Sequence, residues 1–465
     1  MFIIISNFIK ILRIIAQEHL ITNNKYKLPI AIKFLGYFAI IFAPFSLFRK
    51  PKDLFGNRLI RAVTNLGPIY IKFAQILSTR DDILGSFADE LKLVQDILPS
   101  FDTSISKNTI FKSFKKHAEE IFEYFEDIPI ATASISQVHK AKLYNGEIVA
   151  VKILRPNIHK QYNNDIKLLY AYAKILNILY PELKRLKLIS VVDIFHDIMK
   201  FELDLRMEGA AASEMKDNFT KNHKIMDQNL YIPKIYWDYT SEHILTTEFI
   251  DAISIYEVDH IISNSTNRRI IAQNLAVIFF NQIFRDGFFH ADLHPGNIFI
   301  TEDLKIILLD FGIMGRLPQN DRIYIAKIVN AFFNRNYDLV AHLHLKAGYI
   351  PPNSNLELFA QSCRAIAEPI IIDAKNIIIS NLLSHLFKVT EDFGMEVQPQ
   401  LILLQKTVIM IETIGRIIDP EVNIWKLAEP WIKDWGYRNL NPIASFSRII
   451  KNIIHKINNS NFDFL

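Results

Sequence analysis

Two short apolar segments, Ile298-Phe299-Ile300 and Ile306-Ile307-Leu308-Leu309, are bordered by polar groups that a packed strand has no reason to carry. Before the first lies Phe288-Phe289-His290-Ala291-Asp292-Leu293-His294-Pro295-Gly296-Asn297, and directly after the second comes Asp310-Phe311-Gly312. The stretch reads as strand, turn and strand, with Asp292, Asn297 and Asp310 at the joints. Burying such groups without partners is costly, so packing alone does not account for them. An Asp, an Asn five residues on and the Asp of an Asp-Phe-Gly is the layout of a phosphoryl-transfer and metal centre. A bare His-x-Asp-x-His also serves metal hydrolases, through His290, Asp292 and His294, so this stretch leaves both chemistries open.

The rest of the chain narrows the choice. Its 465 residues can bury a sizeable core, and more than one lobe is expected. A net charge of +4 with no long basic block gives no footprint for nucleic acid. The single cysteine, Cys363, excludes an internal disulfide framework and reads as a buried spacer in a helix. A mean hydropathy of +0.13 is high for a soluble enzyme, and the apolar excess gathers at the ends. No apolar run reaches the roughly 18–20 residues of a spanning helix. Phe34 to Phe48 is uncharged but short, broken by Pro44 and followed by Arg49, Lys50 and Lys52. In residues 1–17, Ser6, Lys10, Arg13 and Gln17 fall on one helical face. Near the other end an apolar stripe through Phe446, Ile449, Ile450, Ile453, Ile454 and Ile457 opposes Arg448, Lys451 and Lys456. These segments suit a membrane surface; packing on the body is the plainer alternative.

Pro68 suits the first turn of a helix running to Arg80, with Lys72 and Gln75 on one face. Helices are expected from Phe87 to Leu98 and near Thr109–Glu126. Beyond Ile128 the small, polar run Ile130-Ala131-Thr132-Ala133-Ser134-Ile135-Ser136-Gln137-Val138 gives way to alternation, and Asn145-Gly146 predicts a tight hairpin. The return strand, Ile148 to Leu154, carries Lys152 inside a Val-Ala-Val run, where an ammonium must snorkel or meet an anion. Helices follow over about Asn157–Leu179 and from Ser190 to about Ala212, the second carrying Glu202, Asp204 and Glu208. Strands near Pro233–Tyr239 and Ile244–Ile250 complete a small, mostly antiparallel sheet. Helices at Asn267–Phe284, Asp321–Phe333 and Gln398–Ile418 dominate the remainder.

Phosphoryl transfer needs backbone donors around the phosphates, a cation to orient them and oxygen ligands to hold magnesium. The Ala131–Val138 turn can supply the first, its small side chains allowing close approach, with Ile130 at its edge. Lys152, held by Glu202 or Glu208, can supply the second, and Asn297 and Asp310 the third. Asp292 is then placed to orient the attacking hydroxyl and accept its proton. There is no glycine between Ile128 and Gly146, so this is not an ordinary glycine-rich loop.

These features together resemble the UbiB family of atypical kinases. Leu66-Gly67-Pro68 through Lys72-Phe73-Ala74-Gln75 to Ser78-Thr79-Arg80 is similar to its signature helix, though Ala74 stands where the family usually has glycine. Ala131 to His139 is similar to its alanine-rich loop, and Glu202-Leu203-Asp204 to its Glu-x-Asp motif. Phe289 to Asn297 is close to its most distinctive run, and Gly394 to Gln400 also looks like bacterial members. The resemblance covers roughly Leu66 to Trp435. It implies an α+β, two-lobed protein-kinase-like fold with a family-specific N-terminal helical extension, binding ATP and magnesium. Lys72, Gln75, Glu202, Asp204 and Glu208 support the site. It further implies a role in ubiquinone biosynthesis, with polyprenylated quinone precursors or biosynthetic enzymes as partners, at the cytoplasmic face of a bacterial inner membrane. Many bacterial members end in a transmembrane hairpin, and the sequence to Leu465 shows none.

The expected organisation is an amphipathic segment over 1–60, a helical extension over 61–126 and an ATP-binding lobe over 127–250. A helical catalytic lobe over 251–440 and an amphipathic tail over 441–465 complete it. The leading expectation is an atypical kinase or ATPase. A non-catalytic scaffold binding nucleotide or prenyl lipid is the alternative, and a metal hydrolase the more distant one.

Overall fold

A computed structural model describes residues 2–20, 54–78, 90–91, 98–179, 188–220, 229–257, 265–372 and most of 383–438. The segments 34–48 and 446–457, the Arg49–Lys52 run, most of the helix expected at 87–98, and Thr79, Arg80, Glu396 and Val397 lie outside the described residues. The chain forms two compact units, Met1–Ala210 with Lys234–Ile250, and Ala211–Pro233 with Asp251–Leu465.

The first unit begins with α1 (Phe2–Gln17), α2 (Phe55–Leu66) and α3 (Pro68–Leu77). Lys10, Arg13 and Gln17 are exposed as the spacing predicts, while Leu12, Ile14 and Ala16 are buried. Arg58 of α2 donates to the carbonyls of Glu18 and His19 at 2.9 and 3.2 Å, closing the end of α1. The second half of the apolar stripe is therefore covered by the protein itself, which is the plainer of the two readings for that part. Among the described residues no helix is long and apolar enough to cross a membrane.

The run expected as one helix to Glu126 divides into α4 (Thr103–Phe114), a single turn α5 (Ala118–Ile121) and the strand β1 (Phe122–Phe125). Asp102 caps α4, accepting from the Ser104 N–H at 2.7 Å, and Lys115 ends it in the left-handed region. Then come β2 (Ala131–Thr132), β3 (Ser136–Leu143) and β4 (Ile148–Leu154). Gly146, at φ +89°, makes the predicted turn, and β3 pairs antiparallel with β4, placing Val138 opposite Lys152. After α6 (Ile158–Leu179), α7 (Leu188–Glu202) and α8 (Leu205–Thr220), the strands β5 (Leu230–Tyr231) and β6 (Ile244–Glu248) follow. The sheet runs β1-β3-β4-β6, with β2 on β3. Of the strand expected at Pro233–Tyr239 only Ile235 bridges to Thr247, and Trp237–Tyr239 is a 3₁₀ turn.

Period-two alternation sorts the strands. Val149, Val151 and Ile153 face a core with Ile110, Phe122 and Ile244. Leu154 and Leu245 join Ile69, Tyr162, Phe195 and Met199 in a second core under α3, α6 and α7. Lys152 shares its face with Leu154, so alternation directs the ammonium to the helical side of the sheet.

The second unit contains β7 (Ile253–Ser254), α9 (Ser265–Phe280), β8 (Phe288–His290), β9 (Ile298–Ile300), β10 (Ile306–Leu308) and β11 (Met314–Arg316). Its sheets are β5-β10-β9-β7 and the pair β11-β8. The helix expected to run unbroken to Phe284 widens at Asn281–Asp286 into a π turn, closed by Gly287 at φ +67°. The helices α10 (Gln319–Phe333), α11 (Tyr337–Lys346), α12 (Leu356–Ile372) and α13 (Pro399–Ile418) complete the unit. Cys363 is buried, and burial pushes its thiol up to about 12, in keeping with a spacer.

Candidate active site

In the first unit two lysine–carboxylate pairs decide what the sequence left open. The Lys152 ammonium lies 2.9 Å from each oxygen of Glu208, in the first turn of α8. Lys72 of α3 lies 3.3 Å from Glu202, the last residue of α7. Glu208 therefore meets Lys152, and Glu202 meets Lys72. The single helix expected to Ala212 breaks between the two acids, because Asp204 caps α8. Its Oδ1 accepts from the Arg206 N–H at 3.1 Å, and its carboxylate holds the Arg206 guanidinium at 2.7 and 2.9 Å. The Arg206 hydrogen bonds hold the Asp204 carboxyl below the usual carboxylate range. Gln75 is half-buried on α3, and its carbonyl accepts from the Ser78 hydroxyl at 2.6 Å.

The glycine-free loop folds as a tight turn. The Ala133 N–H donates to the Ser136 carbonyl at 2.9 Å, and Arg155 caps the Ala133 carbonyl at 2.9 Å. The Ile130 N–H donates to Val138 at 2.8 Å, and Thr132 pairs with Gln137. Ile130 and Ala131 are exposed, and Thr132 and Ala133 partly so. The side chains of Ser134, Ile135, Ser136 and Gln137 are buried. Gln137 accepts from the Phe101 N–H at 3.0 Å and donates to Ser106 at 3.0 Å, beside His139. Its side chain fastens the loop to α4 and to Phe101 ahead of it.

In the second unit His290 organises the central stretch. Its N–H donates to Gln282 of the π turn at 2.9 Å. Its Nε2 lies 3.1 Å from the Leu309 carbonyl, and its Nδ1 3.2 Å from the Asp292 N–H. Only the neutral ring with its proton on Nε2 serves both bonds. Burial drives the imidazole in that direction, lowering its proton affinity. With both nitrogens engaged to backbone, His290 offers no lone pair to a metal, and the hydrolase reading loses its first ligand. His294 Nδ1 accepts from the Gly296 N–H at 3.1 Å.

The β9–β10 register pairs Leu308 with Ile298, and the Leu309 N–H continues the ladder to the Asn297 carbonyl at 2.9 Å. Asn297 is thus brought beside the residue preceding Asp310. Asp310 is exposed with φ +57°, a conformation Asp tolerates better than most residues. An amide oxygen and a carboxylate at the open end of one hairpin are hard donors of the kind magnesium takes.

No motif in the sequence marks Lys406. On α13, it lies with Nζ 2.6 Å from Asp292 Oδ1. The available signal was weak: a lone ammonium, between Gln405 and Thr407, in the otherwise apolar segment Leu401 to Met410.

A small antiparallel sheet carrying a paired lysine, and a helical unit carrying an Asp/Asn/Asp hairpin, define a protein-kinase-like α+β fold. Comparison places it more narrowly: the chain belongs to the ABC1/UbiB family of atypical kinases. Residues 93–344 match the ABC1 atypical kinase-like domain, and residues 363–423 the UbiB helical domain. It is 41% identical over 408 residues to a protein of Marinobacter nauticus named probable protein kinase UbiB, covering 86% of this chain and 74% of that one. Proteins of the same name from Aliivibrio salmonicida and Photobacterium profundum are 38% and 39% identical, each covering 85% of this chain and 73% of the relative. The Mycobacterium tuberculosis protein Rv3197, solved in complex with erythromycin, shares the fold. Its TM-score is 0.52 at 23% identity, over 80% of this chain and 94% of that one.

Proposed function

We propose that this protein binds Mg-ATP and turns it over, as a kinase or an ATPase, in support of aerobic ubiquinone biosynthesis at a membrane. The observation that carries the reading is the two-oxygen grip of Glu208 on Lys152, which holds an ammonium on a strand while leaving its side chain 18% exposed. A cation fixed in that way suits phosphate oxygens. Asn297 and Asp310 would hold magnesium, which supplies charge neutralisation on the phosphates. Asp292 would orient an acceptor hydroxyl or water and take its proton. The pathway assignment, and polyprenylated quinone precursors or biosynthetic enzymes as partners, rest on the resemblance to the UbiB family set out from the sequence. The cytoplasmic face of the inner membrane is what the family resemblance implies, and the apolar segments 34–48 and 446–457 are the candidates for surface association.

The test is magnesium-dependent nucleotide binding and ATP hydrolysis by the purified chain, with and without anionic liposomes and a phenolic quinone precursor. Wild type is expected to bind and hydrolyse, Lys152→Met to lose affinity, and Asp310→Asn to lose turnover. No magnesium-dependent binding, together with an Asp310→Asn protein indistinguishable from wild type, refutes the reading. Full complementation of a ubiquinone-deficient strain by Asp292→Asn would favour the scaffold alternative.

A further inference from the structure

Between His290 and Asn297 the chain has neither lysine nor arginine. A transferring phosphoryl group carries charge that a positioned cation stabilises, and Asp292 needs a fixed carboxylate to receive a proton. The catalytic loop supplies no such cation itself; α13 brings one to it.

Lys406 Nζ lies 2.6 Å from Asp292 Oδ1, with the side chains 29% and 35% exposed. That is the short distance of a charge-assisted hydrogen bond. The lysine is held in register by its neighbours. Thr407 is fully buried, donates to the Leu403 carbonyl at 2.8 Å and lies 3.5 Å from the His290 carbonyl. Leu404, Val408 and Ile411 are buried on the same helix. The turn of α13 that presents Lys406 is therefore fastened to the strand that leads into Asp292.

We infer that Lys406 of the helical domain is the positioning cation of the phosphoryl-transfer centre. It fixes the Asp292 carboxylate through Oδ1 and sets a positive charge beside the reacting oxygens. In the step it serves, the acceptor oxygen bonds to the γ-phosphorus as the bond from that phosphorus to the β–γ bridging oxygen breaks. The acceptor proton passes to Asp292 and ADP leaves. The inference rests on the Mg-ATP reading above and assigns the helical domain a part in that chemistry.

The test uses the purified full chain with Lys406→Met and Lys406→Arg, measuring melting temperature, magnesium-dependent nucleotide affinity and ATP turnover. A positioned general base contributes on the order of 10²–10⁴ in rate, and Lys406 acts through that base, Asp292. Lys406→Met is accordingly expected to lower kcat by about 10- to 100-fold, allowing for the partial exposure of the pair. Nucleotide affinity should stay within about 3-fold of wild type, because the contact is to Asp292. Lys406→Arg, or ethylammonium added to Lys406→Met, should restore part of kcat, which a merely structural lysine would not do. A Lys406→Met protein that turns over at the wild-type rate overturns this inference alone. So does one that turns over faster, since the pair would then be an inhibitory clasp on Asp292. A wild type without magnesium-dependent turnover overturns the Mg-ATP reading, and this inference with it.

Discussion

The assignment of Lys152 to Glu208 and Lys72 to Glu202 makes a quantitative prediction about four side chains. At 2.9 Å and an effective dielectric constant of about 20, opposite unit charges attract by roughly 6 kcal/mol; at 3.3 Å the figure is about 5 kcal/mol. Desolvation offsets much of this, because the four side chains are only 5–18% exposed. Lys152 meets both oxygens of its partner with hydrogen-bond geometry, so a net coupling of about 2–3 kcal/mol is expected. Lys72 lies at the longer distance from Glu202, and about 1–2 kcal/mol is expected. The crossed pairs, Lys152 with Glu202 and Lys72 with Glu208, should couple more weakly than the matched ones. The measurement is a set of double-mutant cycles with Lys→Met and Glu→Gln. Amide hydrogen exchange in β3 and β4 reads the local opening free energy without requiring both units to unfold together. A crossed coupling as large as its matched counterpart would refute the pairing, and with it the argument that the break at Asp204 separates the two acids.

Two further outcomes follow from the packing. Burial raises the Asp165 carboxyl from 3.8 to about 6, so the folded state binds its proton more tightly than the unfolded chain does. Stability from this group is therefore fully present below about pH 4 and is lost as pH rises through 6, a change on the order of 3 kcal/mol. Asp165→Asn should flatten that part of a urea-midpoint profile, and an unchanged slope would show the carboxylate to be solvated. At Gly315 an added Cβ would stand 2.1 Å from the Phe289 ring across the β8–β11 pair. Gly315→Ala should cost about 1–3 kcal/mol by overpacking, and thermal unfolding within a degree of wild type would contradict that contact.

Much of this molecule can be read from local chemistry, and the failures have physical causes. Asn145-Gly146 with alternating flanks located β3 and β4, because a left-handed glycine and period two are strictly local demands. Asp292, Asn297 and Asp310 stood out because charged and amide groups interrupt apolar strands. Phe122–Phe125 escaped notice because Glu123 and Tyr124 are exposed and the run lies directly after a helical turn. The Glu202/Glu208 choice was hidden because Asp204 looks like one more surface acid until its capping bonds are seen. The burial of the Gln137 side chain against Phe101 and Ser106 was not legible, because it depends on tertiary packing. Lys406 shows the same limit, because a helical lysine is normally solvated and its partner lies far away in the chain.

The π turn at Asn281–Asp286 bears on insertions and deletions in this region. A wide turn of this kind holds one residue more than the α-helix it interrupts. Deleting a residue there would restore regular helical hydrogen bonding, a local gain. It would leave the flanks nearly in phase but shift the directions of the side chains within the turn itself. Gln282, which receives the His290 N–H, and Asn281, which accepts from Trp431 Nε1 at 2.8 Å, would no longer both face their partners. Spacing here is thus more tightly restricted than residue type. Conservative replacements along the segment should be absorbed, whereas a frame-preserving loss of one codon should release the strand that carries His290.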